Sequence, residues 1–297
     1  MFDLGAEKKM KYEQGNEGIS FGQAPMSSPP DGELDTTEVL NIAKDDVLSW
    51  PQLVRRTSEH SYPLPVLSQM EHTVRPFVLK SLEVNNAIID IFNDKLGLRK
   101  GKLMEMHLAN ELSGCEARIL RNSATLSTMK LAIGSHTDFG SLSILHNRQG
   151  GLQVLPPGSE TWQYVKPIPY HSICNVGDAL SILSGGILRS NLHRVLPPPS
   201  SQANSERWSL VFFSRPSNTT ILRALVDDSP VIAEALDKKD VDSKKMFDTG
   251  ATAQEWCERR VRNRRFANNT QGLDNWKASR GTESVDLASF RSTTVKS

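Results

Sequence analysis

Between Gln69 and Leu98 the apolar residues Val74, Phe77, Val78, Leu82, Ile88, Ile89 and Phe92 recur at spacings of three and four. That spacing puts them on one stripe of a helix, which Gly97 is placed to stop. From Lys102 to Arg215 the period shortens. Met104, Met106 and Leu108 alternate with Leu103, Glu105 and His107, and Ala117, Ile119 and Arg121 alternate with Arg118, Leu120 and Asn122. Gly134, Gly150-Gly151, Pro156-Pro157-Gly158, Gly177-Asp178, Gly185-Gly186 and Pro197-Pro198-Pro199 punctuate these runs. Short runs of period two between closely spaced turn signals predict roughly eight strands in a sandwich or barrel. After Pro216 the helical pattern returns over Val231 to Met246 and Thr252 to Asn268. In the second segment Glu255 precedes Arg259 and Glu258 precedes Arg262 by four, the supportive order for ion pairs on a helix. The segment before Asp35 is rich in Gly, Ser, Pro and charge. It allows a helical turn or two over Glu7 to Tyr12 and a loop over Ser27 to Gly32, while Trp50-Pro51, Pro63 and Pro65 break any long helix between Thr36 and Pro65. The chain is therefore expected to be mainly β with flanking helices.

The bulk numbers agree with a globular protein and remove several classes. The 297 residues are 38% hydrophobic and 23% charged, enough for a sizeable core. Lys and Arg total 35 against 34 Asp and Glu, a net charge of +1, so there is no field to hold a polyanion, and no nucleic-acid partner is expected. Three cysteines (Cys115, Cys174 and Cys257) lack C-x-x-C spacing and are too few for a disulfide framework. With no signal-peptide pattern and no apolar run long enough for a bilayer, the expectation is a cytoplasmic protein without a membrane partner. The basic run Arg259, Arg260, Arg262, Arg264 and Arg265 reads as a solvated helical face, because Glu255 and Glu258 are interleaved with it. Asp178 reads as a turn residue.

The chemistry sits in the β region. His136-Thr137-Asp138, taken as strand residues, sends an imidazole and a carboxylate to one face. His193 follows after 54 intervening residues, a gap that suits several antiparallel strands before the chain returns to the same end. Two His and one carboxylate leave three positions of an octahedron open, the arrangement of non-haem Fe(II) oxygenases. An isolated H-x-D is weak by itself. After 13 further residues, Arg207 and Ser209 begin the run to Phe213 and share a face. A guanidinium fork and a hydroxyl, inward in a β barrel, are costly without an anion. Further along the same strand is Phe213, a candidate substrate contact or a core residue. His107, expected on a strand near the site, is a second candidate, with a hydrogen-bonded barrel residue as an equal alternative.

The stretch Gly134 to Leu145 resembles the iron-binding strand of the 2-oxoglutarate/Fe(II)-dependent dioxygenase superfamily, nearest the isopenicillin N synthase-like branch in its fungal form. Gly150 to Val154, Asn175 to Leu180, Leu192 to Val195 and Arg207 to Ser209 resemble the same branch, as do Trp256, Arg259, Arg260 and Ala278 to Thr282. The resemblance runs from about Leu67 onward. It implies a double-stranded β-helix (jelly-roll) core in residues 67–297 with C-terminal helices, behind an N-terminal segment 1–66. It implies Fe(II) held by His136, Asp138 and His193, with the far carboxylate of 2-oxoglutarate met by Arg207 and Ser209. The implied reaction consumes O2 and 2-oxoglutarate, releases succinate and CO2, and hydroxylates, desaturates or cyclises a small organic molecule, as in secondary metabolism. Many relatives carry a Tyr where this chain has Asn122, whose amide is shorter but still a donor to the co-substrate. Phe2-Asp3-Leu4 with Glu7-Lys8-Lys9 resembles a segment normally preceded by several tens of residues, so the chain is expected to open inside that pattern. Two other readings remain: an Fe(II) oxidase of this fold that needs no 2-oxoglutarate, and a non-catalytic jelly roll that binds its ligand. No obvious base stands beside the metal for a zinc hydrolase.

Overall fold

The computed structural model describes residues 1–12, 22–25, 37–56, 61–122, 124 and 133–264. Its strands are β1 (Gly22–Pro25), β2 (Thr37–Ala43), β3 (Glu116–Asn122), β4 (Ile133–His136), β5 (Leu142–Asn147), β6 (Leu152–Val154), β7 (Gln163–Tyr164), β8 (Ile173–Val176), β9 (His193–Val195) and β10 (Arg207–Ser214). Two further strands, β11 (Ile221–Arg223) and β12 (Asp248–Thr252), pair only with each other. The rest form an antiparallel six-stranded sheet in the order β1-β2-β3-β10-β5-β8 and a four-stranded sheet in the order β4-β9-β6-β7. From β3 to β10 the chain passes back and forth between the two sheets. That is the winding of a double-stranded β-helix, and the eight strands lie in the segment where alternation predicts them.

Alternation along the central strand β10 explains its two faces. Phe212, paired with Ala117 on β3 and Ile144 on β5, points outward. It packs with Leu40, Ile42, Met70, Val78 and Leu82, so the helix Arg75–Lys95 covers the outer side of the large sheet. Arg207, Ser209, Val211 and Phe213 point the other way, between the sheets. Val211 packs there with Val39 and Leu120, with Ile133, Leu145 and Phe213 against them. Because β1 and β2 extend this sheet, the segment before residue 67 is built into the same body as β3.

The helix Arg75–Lys95 opens on a π-type turn, Met70–Val74, and ends at Leu96 before Gly97, whose φ of 66° needs no Cβ penalty. Asn93 organises the next segment. Its amide donates to the carbonyl of Arg99 at 2.9 Å, and its Oδ1 accepts from the amide of Leu103 at 3.0 Å. This turns Lys102–Glu105 into one helical turn instead of the expected strand. Leu103 and Met106 are three apart, so both reach the same core, and over so short a run that spacing cannot be told from alternation. The helix expected over Val231 to Met246 is two, Pro230–Asp237 and Val241–Lys245. Asp240 breaks it by capping the second through the amides of Asp242 and Ser243. The last described helix is Ala253–Arg264. Its Glu255 accepts from the amide and hydroxyl of Thr252, a capping box that fixes the start of the helix. Among the described residues no helix is long and apolar enough to cross a membrane. The Ser27–Gly32 loop, His60 and the Ala278–Thr282 segment lie outside the described residues.

Phe212 is 0% exposed at the centre of the outer core. Phe212→Ala is expected to lower unfolding stability by about 3–5 kcal/mol. Ile91→Ala, on the solvent side of the long helix, should stay within about 0.5 kcal/mol of wild type. Urea denaturation checks both, and equal midpoints for the two variants would contradict this assignment of the core.

Candidate active site

β4 and β9 are antiparallel neighbours in the small sheet, with His136 directly opposite His193. Their ring centroids are 4.2 Å apart. His136 Nδ1 lies 2.8 Å from the carbonyl of Gly134, and His193 Nδ1 lies 3.2 Å from that of Asn191. A carbonyl only accepts, so each Nδ1 donates, which orients both rings with Nε2 toward the Asp138 carboxylate. Asp138 lies just beyond the end of β4 instead of within the strand. Its Oδ2 accepts from the Ser143 hydroxyl at 2.6 Å and the Asn175 amide at 2.7 Å, both from the large sheet. Its Oδ1 faces the imidazoles, 3.7 Å from His193 Nε2 and 3.9 Å from His136 Nε2. One ligand atom from each of the three residues lies within 4.8 Å of the others, the one such group of three among the described residues. Burial pushes the Asp138 carboxyl up. The imidazoles of His193 and His136, then the bonds from Asn175 and Ser143, outweigh burial and hold it well below the usual carboxylate range.

The turn that carries Asp138 is pinned from behind. The amide of Asp178 donates to the Asp138 carbonyl at 2.8 Å. Asp178 Oδ2 accepts from Thr137 Oγ1 at 2.9 Å and from Arg260 Nη2 at 3.1 Å. The Arg260 guanidinium lies 4.6 Å from the centre of the Phe139 ring. Asp178 is therefore more than a turn residue, and Arg260, 2% exposed, does not belong to a solvated face. The backbones approach so closely here that a Cβ on Gly140 would stand 2.2 Å from the Ser214 carbonyl, and one on Gly177 the same distance from the Gly140 carbonyl. Both positions demand glycine.

Across the cavity, Arg207 is 3% exposed. Its Nε donates to the Gly150 carbonyl at 2.9 Å and its Nη1 to Ser209 Oγ at 2.7 Å. No carboxylate partners it among the described residues, and burial lowers it to about 10. The triad, Arg207, Ser209 and Phe213 line one cavity. Leu120, Ile133, Leu145, Leu152, Val154, Ile173, Val195 and Val211 make most of the remaining wall.

Two expected contacts fall elsewhere. Asn122 pairs with Arg207 across the ladder, but its amide donates to Thr37 Oγ1 and it does not line the cavity. His107 is buried in the turn after Lys102–Glu105, outside the cavity wall, because the helical turn carries it away from the sheets. It contacts the Leu103 carbonyl at 2.7 Å and Ser141 Oγ at 2.6 Å. Ser143 and Asn175, which also lie on the cavity wall, fall in stretches that carry the resemblance, though nothing in it sets them apart, and Arg118 has no signal in the sequence beyond being polar on an inward strand position.

Residues 114–216 match the family model of the 2OG-Fe(II) oxygenase superfamily. The chain is 32% identical over 205 residues to a 2-oxoglutarate-dependent dioxygenase of Gibberella zeae, covering 66% of this chain and 56% of that protein. To one from Dothideomycetidae sp. it is 28% identical over 228 residues, covering 75% and 68%. The chain thus spans between about half and two thirds of the length of these relatives. In structure it is similar to a full-length Neurospora crassa protein crystallised in complex with α-ketoglutarate, with a TM-score of 0.67 at 21% identity, over 88% of this chain and 78% of that one. That likeness shows the jelly-roll fold. The clustered His136, Asp138 and His193, together with Arg207 and Ser209, all lie in the segment 114–216 that matches the 2OG-Fe(II) oxygenase superfamily, and the chain is similar to fungal 2-oxoglutarate-dependent dioxygenases.

His107 generates a pH dependence. Burial pushes its imidazole down to about 4, with the Leu103 carbonyl offsetting part of this. The unfolded chain takes a proton there near pH 6.5 and the folded one does not until about 4. The stabilisation from neutral His107 is complete above pH 6.5 and is lost as pH falls toward 4. His107→Asn should flatten the stability–pH curve in that window by up to about 1.4 kcal/mol per pH unit. Parallel curves for variant and wild type would show that His107 does not titrate this way.

Proposed function

We propose that this chain is an Fe(II)- and 2-oxoglutarate-dependent dioxygenase that oxidises a small organic molecule. In this reading His136, Asp138 and His193 hold the metal, and Arg207 with Ser209 receives the distal carboxylate of 2-oxoglutarate. The observation that carries it is the buried Arg207 guanidinium. It has no carboxylate among the described residues, and it shares one cavity with three ligand atoms that converge on one point. A buried cation without a counter-charge is costly, and an anion seated there removes the cost.

The donor set suits the metal: two imidazoles and one carboxylate converge on one point. Fe(II) with bound 2-oxoglutarate and O2 supplies an oxidising centre, releasing succinate and CO2. The protein contributes position and dryness. Ser143 and Asn175 hold Asp138 Oδ2 so that Oδ1 alone faces the imidazoles, which fixes the ligand direction. Arg207 offers a fork on a rigid central strand, which a carboxylate matches in plane. The apolar wall keeps water from the reacting bond. Phe213 borders the space left for substrate, and Asn122 supports Arg207 as its neighbour across the ladder. Membership in the isopenicillin N synthase-like branch, a substrate from secondary metabolism, a cytoplasmic location and residue 66 as a domain boundary belong to this same proposal. The location draws support from the cysteines, all three of which are free.

The test is an anaerobic titration of the metal-free protein with Fe(II) and then 2-oxoglutarate, following the visible metal-to-ligand charge-transfer band. A saturating band is expected in wild type and none in His136→Ala, Asp138→Ala or His193→Ala. Turnover should depend strictly on added 2-oxoglutarate. Iron binding without the band would leave the 2-oxoglutarate-independent oxidase, and no iron binding the non-catalytic jelly roll. Arg207→Ala is expected to weaken 2-oxoglutarate by tenfold or more, roughly the loss of one charged hydrogen-bonded contact, while leaving the affinity for Fe(II) as in wild type. Unchanged apparent affinity for 2-oxoglutarate in that variant would sink the carboxylate assignment.

A further inference from the structure

The cavity holds a second guanidinium that the proposed reaction does not use. Arg118 lies on β3, opposite Val211 on one side and Asn41 on the other, so it stands on the inward face. Its side chain is 11% exposed, and it lines the cavity beside Phe213, whose ring centre lies 4.6 Å from the guanidinium carbon. Nε donates to Asn41 Oδ1 at 2.7 Å and Nη2 to Glu116 Oε1 at 2.6 Å. The remaining amine, Nη1, has no partner among the described residues.

The charges behind Arg118 do not balance. Glu116 is fully buried and also accepts from Arg215 Nη2 at 3.1 Å. Two guanidinia therefore share this one carboxylate. Arg215 is enclosed against Cys115 and Gly114, whereas Arg118 fronts the cavity, so the surplus positive charge is presented at Arg118. The rest of the site closes without it. In the reaction proposed above, iron's two charges and Arg207 would be met by Asp138 and the two carboxylates of 2-oxoglutarate. One cation is left over in a low-dielectric cavity whose other wall residues are mostly aliphatic, and a substrate anion would compensate it.

We propose that the substrate is a small, largely apolar organic acid whose carboxylate is received by Arg118 Nη1, with its apolar body against Phe213, Ile133 and Leu145. This rests on the reaction proposed above. Arg118 would then select for substrate charge, a different role from holding the strands together or propping the Phe213 ring.

The test uses anaerobic enzyme loaded with Fe(II) and saturating 2-oxoglutarate. Two acids, hexanoate and 3-phenylpropanoate, are titrated beside their primary amides, which match them in shape but carry no charge. Binding is read by calorimetry and by displacement of the charge-transfer band. At least one acid is expected to bind tenfold or more tighter than its amide, roughly the loss of one charged hydrogen bond. Arg118→Gln should abolish the preference and Arg118→Lys, which keeps the charge, should retain part of it. In the proposed arrangement 2-oxoglutarate meets Arg207 and Ser209 and not Arg118, so a band of normal affinity in both variants reports that the site is still folded and the co-substrate still bound. Equal binding of acid and amide, no binding of either acid, or the same preference in Arg118→Gln would overturn the proposal. Absence of the band in wild type defeats the co-substrate assignment and this proposal with it. A normal band without acid preference defeats this proposal alone.

Discussion

The antiparallel register between β4 and β9 sets His136 against His193, and the site is organised around that pairing. A shift of one residue would turn one imidazole to the opposite face of the small sheet, because side chains alternate along a strand. The register alone supplies two nitrogens, and the carboxylate that completes the group comes from a tether across the barrel. Asp138 leaves the small sheet at the end of β4 and is caught by Ser143 on β5 and Asn175 on β8, which are paired neighbours in the large sheet. The two sheets meet through this carboxylate, so the distance between them and the aim of Oδ1 are set together.

The tether has a backing. Asp178 opens a helix just after β8 and bonds the turn at Asp138 and Thr137 on one side and Arg260 on the other. Burial raises the Asp178 carboxyl, and Arg260, Ser190 and Thr137 counter that. A buried pair of this kind contributes little net stability when intact, yet it is expensive to break, since either partner would be left charged and alone. It therefore acts as a positional constraint that links the helix Ala253–Arg264 to the turn between the proposed ligands. The glycines at 140 and 177 belong to the same design, since the close backbone approach there leaves no room for a Cβ.

Charge inside the barrel follows one rule: each buried ion is held by fixed partners or faces the cavity. Asp138, Asp178 and Glu116 meet cations or hydrogen-bond donors of the protein itself. Arg207 is held in place by a carbonyl and a hydroxyl, which orient it without neutralising it. That difference separates a structural guanidinium from one prepared for a ligand.

The sequence by itself determined the class of fold and the chemistry within it. Alternation and turn residues from Lys102 to Arg215 mark short antiparallel strands, because a strand with one face in a core must alternate whatever surrounds it. The identity and order of His136, Asp138, His193, Arg207 and Ser209 are legible along the chain, while the β4–β9 register and the tether on Asp138 bring the first three together. The tertiary structure alone decided matters that depend on partners distant in sequence. Leu103 to His107 alternate as a strand would, yet Asn93 coils them into a turn and carries His107 out of the cavity. Arg260 sits in a basic run that reads as solvated, yet it is buried on Asp178, 82 residues away. Asn122 lies beside Arg207 but turns to Thr37. Arg118 carries no sequence mark of its own. Its open amine results from which neighbours Glu116 and Asn41 serve, and no local pattern encodes the charge balance of a cavity whose walls come from both sheets.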